Sequence, residues 1–481
     1  MVESSEIKVT PFDPIMKPFS PFLQLLSVFF ISYLQLPAEI LDIGSSRELF
    51  IDDFMIDKLT GDAQQQIHLP EPKEVVLTTD APWEGNTCAY YTIFKDEDLF
   101  RMYYRGSHFE KKTKKSSPQV TCYAESKDGI HWTKPKLGLV ESHGTKDNNI
   151  VWNGIGSHDF IAFKDTNPNC PPEARYKGMG RGHPKAKRGL YVFSSPDGIR
   201  WSLIKKGPVI TKGYFDSQNL AFWDTHTQQY REYHRTFVKG VRAIMTGTSP
   251  DYVNWTDPVL LKYQENIPNQ HLYTNAILPY ERAPHLLLGF PTRYLPKQGQ
   301  RVEPTLMISR DGLNFHRWLD PIIPETAPKD RSGNRSNYMA WGLVEIPGRP
   351  NHLSCYASEA YYTGPNSRLR RFEYRKDGFV SIQAGSSEGE LLTKPFRFKG
   401  NQLKINFTTQ KAGNLRIEIT DETGKPIKGF SQEECTPLQG DNIAQIVSWK
   451  SGKNLCSLSG KPIRLKVSLK NANLYSFKFT Q

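Results

Sequence analysis

One phrase recurs along this chain. "ESKDGIHW" (125–132), "SSPDGIRW" (194–201), "TSPDYVNW" (248–255) and "ISRDGLNF" (308–315) are followed by a weaker copy, "YRKDGFVS" (374–381). Their aspartates, Asp128, Asp197, Asp251, Asp311 and Asp377, are separated by 69, 54, 60 and 66 residues. Such a period restricts the fold to one supersecondary unit made several times, each copy burying its apolar face on the next. Every phrase ends one apolar run and begins another. An Asp-Gly pair between strand-like runs is a hairpin signal, because glycine tolerates the positive φ of a tight turn. The aromatic residue three positions beyond the glycine is placed to pack on a neighbouring strand.

The segments before each phrase complete the unit. "NTCAYYTIF" and "LFRMYYRGS" are strand-like runs split by Lys95-Asp96-Glu97-Asp98; "SQNLAFWD" with "YREYHRTF", and "YTNAILPY" with "HLLLGFPTRY", repeat the arrangement. Two inner strands and an outer hairpin make four strands, and a four-stranded unit repeated about an axis is a propeller blade. The spacing predicts an all-β chain: a five-bladed β-propeller over 45–390, followed by a C-terminal antiparallel β-sandwich over 391–481. In that last region "NLRIEITD", "PIRLKVSLK" and "NLYSFKFT" alternate strictly and the phrase does not recur. Residues 1–44 read as a leader.

Within the leader, "KPFSPFLQLLSVFFISYLQLPA" (17–38) is strongly apolar. Its core from Phe22 to Leu36 is short of the roughly 20 residues of a membrane span. It reads as a secretory signal, so a secreted or periplasmic protein without a stable membrane span is expected. The formal charge of +12 is concentrated at the far end, where 391–481 hold 15 Lys and Arg against 6 Asp and Glu. That surface is either simply solvated or attached to an anionic polymer. Nucleic acid is not an expected partner, because recognition helix, zinc spacing and basic-aromatic groove are all missing from the sequence. Six cysteines without metal-type spacing give no metal site, and no cofactor is expected. Cys435 and Cys456, both in the last region, either pair after export or stay as thiols.

In a propeller the inner strands converge on one axial pocket. Polar groups at the start of an inner strand, or at the end of the second, meet there from distant parts of the chain. Those positions hold Glu84 and Arg105; His158, Asp159, Arg181 and His183; Asp216, His234 and Arg235; His271, Tyr273, Asn275 and Arg293; and Asn337, Tyr338 and Glu359. Glycoside cleavage uses two carboxyl groups, one protonated and one ionised. Aromatic faces stack on sugar rings, and arginine forks fit carboxylates and sulfates. The expected catalytic carboxyls are Asp216, Glu84, Glu359 and Asp159. The expected substrate-binding groups are Arg105, His158, His183, Arg235, Tyr273 and Arg293, around a carbohydrate that is neutral or anionic. Plainer roles compete: Glu84 as a turn residue after Pro82, Asp216 as a cap on Ser217-Gln218-Asn219, Glu359 as an ion-pair partner of Arg370 or Arg371. The repeated aspartates, at the outer edge of every unit, read as structural.

Recurrent Ser-x-Asp-Gly-x-x-Trp phrases, five units and a C-terminal β-rich region resemble the five-bladed propeller glycoside hydrolases of the invertase, levanase and arabinanase superfamily. "RELFIDDFMID" (47–57), "FDSQNLAFWD" (215–224) and "GNLRIEITDETGKPIKGFS" (413–431) also resemble secreted bacterial proteins described as glycosyl-hydrolase-like. The resemblance implies hydrolysis of a poly- or oligosaccharide and places its acids at Glu84, Asp159 and Asp216. The invertase-type Asn-Asp-Pro-Asn-Gly motif does not occur, and the third acid is Asp216 in place of a Glu. Two alternatives stand beside it. One is a sialidase-like hydrolase, for which three arginines would grip an acidic sugar. The other is a non-catalytic glycan-binding propeller.

Overall fold

The computed structural model describes residues 40–323 and 337–481, so the apolar segment at 17–38 lies outside the described residues. The chain is all-β. Its helical segments among the described residues are two three-residue 3-10 turns, Pro172–Ala174 and Cys456–Leu458. None of the helices described is long and apolar enough to cross a membrane.

Three four-stranded antiparallel sheets follow one another along the chain. The first joins Ala89–Asp96, Leu99–Gly106, Val120–Ser126 and Ile150–Trp152. The second joins Ile161–Lys164, Tyr176–Arg181, Leu190–Ser195 and Ser202–Leu203. The third joins Leu220–Asp224, Gln229–Val238, Val241–Ser249 and Val259–Leu260. A fourth, five-stranded sheet is built around Ala283–Gly289 and Met307–Ser309, and a three-stranded extension holds His271–Leu272, Thr292–Leu295 and Arg301–Pro304. The fifth pairs His352–Glu359 with Arg368–Arg375 and takes its third strand, Glu71–Thr78, from the far end of the chain. Isolated bridges at Met339 and Val344 join the fifth sheet, and a bridge from Trp341 to Thr92 reaches the first.

The recurring phrase folds the same way four times. Asp128 Oδ1 accepts the backbone N–H groups of Ile130 (2.9 Å) and His131 (2.8 Å), while Ser126 Oγ accepts that of Gly129 at 2.9 Å. Asp197, Asp251 and Asp311 repeat these bonds. Gly129, Gly198 and Gly312 have φ of +72°, +76° and +77°, the region glycine enters without steric cost. Trp132, Trp201 and Trp255 fold back and donate the indole N–H to the carbonyl of the residue after the aspartate. The aspartates are therefore structural, as their repetition implies.

Each turn also docks on the preceding sheet through a buried tyrosine. Tyr103 of the first sheet donates to Gly198 O of the second at 2.7 Å. Tyr233 of the third donates to Gly312 O of the fourth at 2.9 Å. Tyr280 of the fourth donates to Asp377 of the fifth at 2.5 Å, and Tyr356 of the fifth returns to Gly129 O of the first at 2.7 Å. Between the second and third sheets the bond runs backwards. There the turn carries Tyr252 in place of glycine, at φ +69°, and its hydroxyl reaches Gly178 O at 2.9 Å. These five bonds link the five sheets in a closed circuit.

A ten-stranded sheet takes its strands from both ends of the described chain: Leu41–Gly44, Arg47–Leu49, Ile56–Gly61 and Gln64–Ile67 pair with strands between Val380 and Thr480. It therefore runs across the boundaries at 45 and 390 set by the repeats. Ile43, Phe50 and Met55 share one apolar cluster with Ile382, Leu391, Phe477 and Phe479, and Ile40–Gln481 form one compact unit. The early strands carry no recurring phrase, which is why periodicity did not attach them to this sheet. All six cysteines are free thiols; Cys435 is buried and Cys456 exposed, so the expected alternative of a bond between them is not formed.

Candidate functional site

Asp216 sits in the loop before Leu220–Asp224 and lines one of two clefts that adjoin at Arg181 and His183. One, of about 170 Å³, is lined by Arg181, His183, Arg188, Tyr214, Asp216 and Arg235. The other, of about 400 Å³, is lined by Ser116, Ser117, Gln119, Ser157, His158 and Lys185, and it shares Arg181 and His183. The Asp216 side chain is 53% exposed, yet two cations and a histidine face it: Arg181 at 3.1 Å, Arg235 at 4.0 Å and the imidazole of His158 at 2.9 Å. Burial alone would push this carboxyl up. The His158 hydrogen bond and the charges of Arg181 and Arg235 outweigh it and hold the group well below the usual aspartate range, so it is ionised. His158 is pushed the other way, down to about 3, mainly by burial, which makes it a neutral hydrogen-bonding imidazole near pH 7.

Local structure explains why these groups meet. The register between Ala89–Asp96 and Leu99–Gly106 shifts between Ala89 and Thr92, and Tyr90 adopts φ +58°. A bulge re-aims a side chain at the cost of strain of about 1–3 kcal/mol. Here it brings the Tyr90 ring to 4.8 Å from the Arg105 guanidinium and 5.6 Å from the His158 ring. Arg105 is buried, donates to Thr87 O at 2.8 Å and to the Tyr361 hydroxyl at 3.0 Å, and lies 3.3 Å from His158 Nε2. On the other side Tyr273 lies 5.3 Å from Arg235 and 4.8 Å from Arg242. Tyr90, Tyr273, Tyr338 and Tyr361 line a small apolar-polar recess with Gln218.

Asp159 lies behind this surface, fully buried. It accepts the Arg181 backbone N–H at 2.9 Å and the Asn219 amide at 2.6 Å, and Asn219 in turn donates to Phe215 O and Ser217 O. Burial pushes its carboxyl up to about 7. Its contacts fix Arg181 on one side and the loop of Asp216 on the other, so it positions the cleft without facing it.

The structure thus brings together Asp216, Arg105, His158, His183, Arg235 and Tyr273, with Asp159 beneath. It places three expected groups elsewhere. Glu84 is buried in a turn, where Ala81 N–H donates to it at 3.1 Å, Tyr104 at 2.5 Å and Lys134 at 2.7 Å; this is the turn role that Pro82 signals. Glu359 is buried between Arg368 at 2.6 Å and Arg370 at 2.7 Å. Arg293 pairs with Glu303, its direct cross-strand neighbour, at 2.8 Å. Arg293 and Glu359 are neutralised across strands of their own sheets, and Glu84 by Lys134 from a separate segment. His234 is likewise held inside its sheet by Glu232 at 2.7 Å. Tyr90, Arg188, Tyr214 and Tyr361 escaped the sequence reading. Tyr214, two residues before Asp216, was the one with a signal nearby.

Neither a protein-family model nor a curated protein matches the chain. Solved structures similar to it include one described as a glycoside hydrolase, at 12% identity and TM-score 0.45 over 64% of this chain and 92% of that one. The beta-1,2-mannobiose phosphorylase of Listeria innocua is similar at 12% identity and TM-score 0.43 over 69% and 96%. So is the catalytic domain of an alpha-L-arabinofuranosidase of Coprinopsis cinerea, at 8% identity and TM-score 0.43 over 64% and 97%. Glycoside hydrolases recur among these structures.

Proposed function

We propose that the protein is a glycan-active enzyme, a secreted glycoside hydrolase in type, with its site in the cleft around Asp216. The same reading takes the five sheets as the blades of a β-propeller and the ten-stranded sheet as a β-sandwich. Its support is the closed circuit of turn-to-tyrosine bonds and the third strand that Glu71–Thr78 supplies to the fifth sheet.

The observation that carries the function is a half-exposed, ionised carboxylate in a polar cleft that adjoins a second one, with tyrosine rings nearby. Of the four expected catalytic carboxyls it is the one that faces solvent. An ionised carboxylate serves as base, nucleophile or stabiliser of the positive charge that develops on the sugar ring. His183 is exposed and lines both clefts. Asp159, Arg105 and Arg235 hold this geometry, and Tyr273 offers a face for stacking.

The test is a screen of plant and marine polysaccharides and aryl glycosides, scored for released sugar, with Asp216→Asn beside the native protein. The variant should fold, retain binding and lose about 10²–10⁴ in rate. Native turnover by Asp216→Asn on a confirmed substrate would remove Asp216 from the chemistry. Binding without turnover by the native protein would favour the glycan-binding alternative.

A further inference from the structure

The two clefts that adjoin at Arg181 and His183 differ in chemistry. The larger one mixes hydroxyls and backbone with His158 and the shared Arg181 and His183, and its Lys185 donates to Asn153 O and Ser157 Oγ. The smaller one presents three guanidinium groups, from Arg181, Arg188 and Arg235, against the single carboxylate of Asp216. Asp216 accounts for Arg181 and Arg235. Among the described residues Arg188 has no carboxylate within ion-pairing distance. It donates to Gly213 O and lies 4.3 Å from the ring of Tyr214, which is 50% exposed at the cleft mouth. Arg181 Nε is buried with no hydrogen-bond partner among the described residues. Arg242, stacked behind Tyr273, adds a further positive charge that no carboxylate balances among them.

The geometry points to an anion subsite in the smaller cleft: the substrate is an acidic glycan that presents a carboxylate or sulfate to Arg181, Arg188 and Arg235, directly beside Asp216. A guanidinium offers paired donors in a fixed fork that matches both groups, and such charge-assisted bonds are about twice as strong as neutral ones. A neutral sugar would leave Arg188 without a counter-charge and Arg181 and Arg235 sharing one carboxylate. This inference rests on reading the cleft as a glycan site and adds where the negative charge of the glycan lies.

The test is a ligand-observed NMR titration of the native protein at low ionic strength with four probes: glucuronic acid, N-acetylglucosamine 6-sulfate, and their neutral parents glucose and N-acetylglucosamine. The expected result is at least tenfold tighter binding of one or both acidic probes than of the parents. The two acidic arms separate a carboxylate substrate from a sulfated one. Arg188→Gln should erase most of that advantage and leave the neutral sugars unchanged. Arg188→Lys, which keeps the charge and loses the fork, should fall between. Equal binding of acidic and neutral probes, or an acidic preference that survives Arg188→Gln, overturns the anion subsite and leaves the glycan reading standing. If no probe binds while the polysaccharide screen gives turnover, the subsite alone is lost. If the screen also fails, both fall.

Discussion

Asp216 and Asp377 are both aspartates ringed by cations, and they do opposite jobs. Asp377 is fully buried where the fourth and fifth sheets meet the ten-stranded one. It accepts from Arg282 at 2.9 and 3.2 Å, Arg47 at 3.1 Å, Tyr280 at 2.5 Å, Asn406 at 3.1 Å and Ser476 at 2.7 Å. Every lone pair is taken. Asp216 has two arginines and a neutral histidine as neighbours, a side chain half in solvent and an open cleft beside it. Both carboxyls are held below the usual range against burial, by hydrogen bonds and arginine charge. The lowered pKa therefore does not separate structure from function. The unfilled coordination does.

The largest effect should come from closing that distinction at Asp377. Asp377→Ala leaves Arg47 and Arg282 facing a hole, and removing one partner of a buried pair costs about 3–5 kcal/mol. Chemical denaturation should show it, with cleft function intact in the folded fraction. The pH dependence follows the same group. Its carboxyl is depressed to about 2 in the folded state. Its contribution is fully present above the ordinary aspartate value of about 4 and is lost as pH falls through about 2. Native stability should drop over that window, and the drop should be smaller in the variant. A cost below about 1 kcal/mol would mean the seam is held by the strands alone.

Glu359→Gln comes next. Two arginines lose their counter-charge, and an amide leaves a buried donor opposed to donors, at a cost of about 1–3 kcal/mol. Thermal unfolding should register it while turnover on any confirmed glycan stays native. A collapse of turnover with unchanged stability would return Glu359 to the catalytic set.

How much of this was legible follows from the same contrast. Local turn chemistry is written in adjacent residues, so Ser126, Asp128, Gly129 and Trp132 disclosed one unit and its repeats disclosed the rest. Position along a strand puts Asp216, His158 and Arg235 at strand ends, and the structure sets the three side by side. It failed where a cation lies across the sheet. Arg293 and Glu303 are ten residues apart in sequence and directly opposed in register. Glu84 and Lys134 come from separate segments. Nothing in one strand states which charges its neighbour supplies. The early strands of the ten-stranded sheet escaped for a similar reason, since their partners lie some 400 residues away, as Arg47 with Lys478. Tyr90 depends on a bulge, which a strand pattern does not show.

The docking tyrosines give a smaller and more uniform effect. Tyr103→Phe, Tyr233→Phe and Tyr356→Phe each remove one buried hydroxyl bond to a turn carbonyl, worth about 1 kcal/mol. Tyr252→Phe should cost the same, because the bond is preserved although its direction is reversed. Denaturation midpoints of the four variants should fall together. One near-zero value would mark a gap in the circuit and weaken the propeller reading at that junction.

The smallest stability effect belongs to Asp216 itself. Asp216→Asn removes a charge that water already solvates in part; Arg181 keeps the amide oxygen as an acceptor, and the buried Arg235, 4.0 Å away, keeps its bond to Tyr214 O. Substitutions in exposed positions usually stay within about 0.5 kcal/mol. The unfolding midpoint should hardly move, in contrast to Asp377→Ala. The loss of negative charge should also tighten acidic sugars, because like charge beside a bound anion is removed. Unchanged stability, tighter glucuronate and lost turnover in one variant would separate the two aspartates on three measurements. A destabilisation of several kcal/mol would show Asp216 to be a second Asp377, a structural counter-ion whose exposure carries no functional meaning.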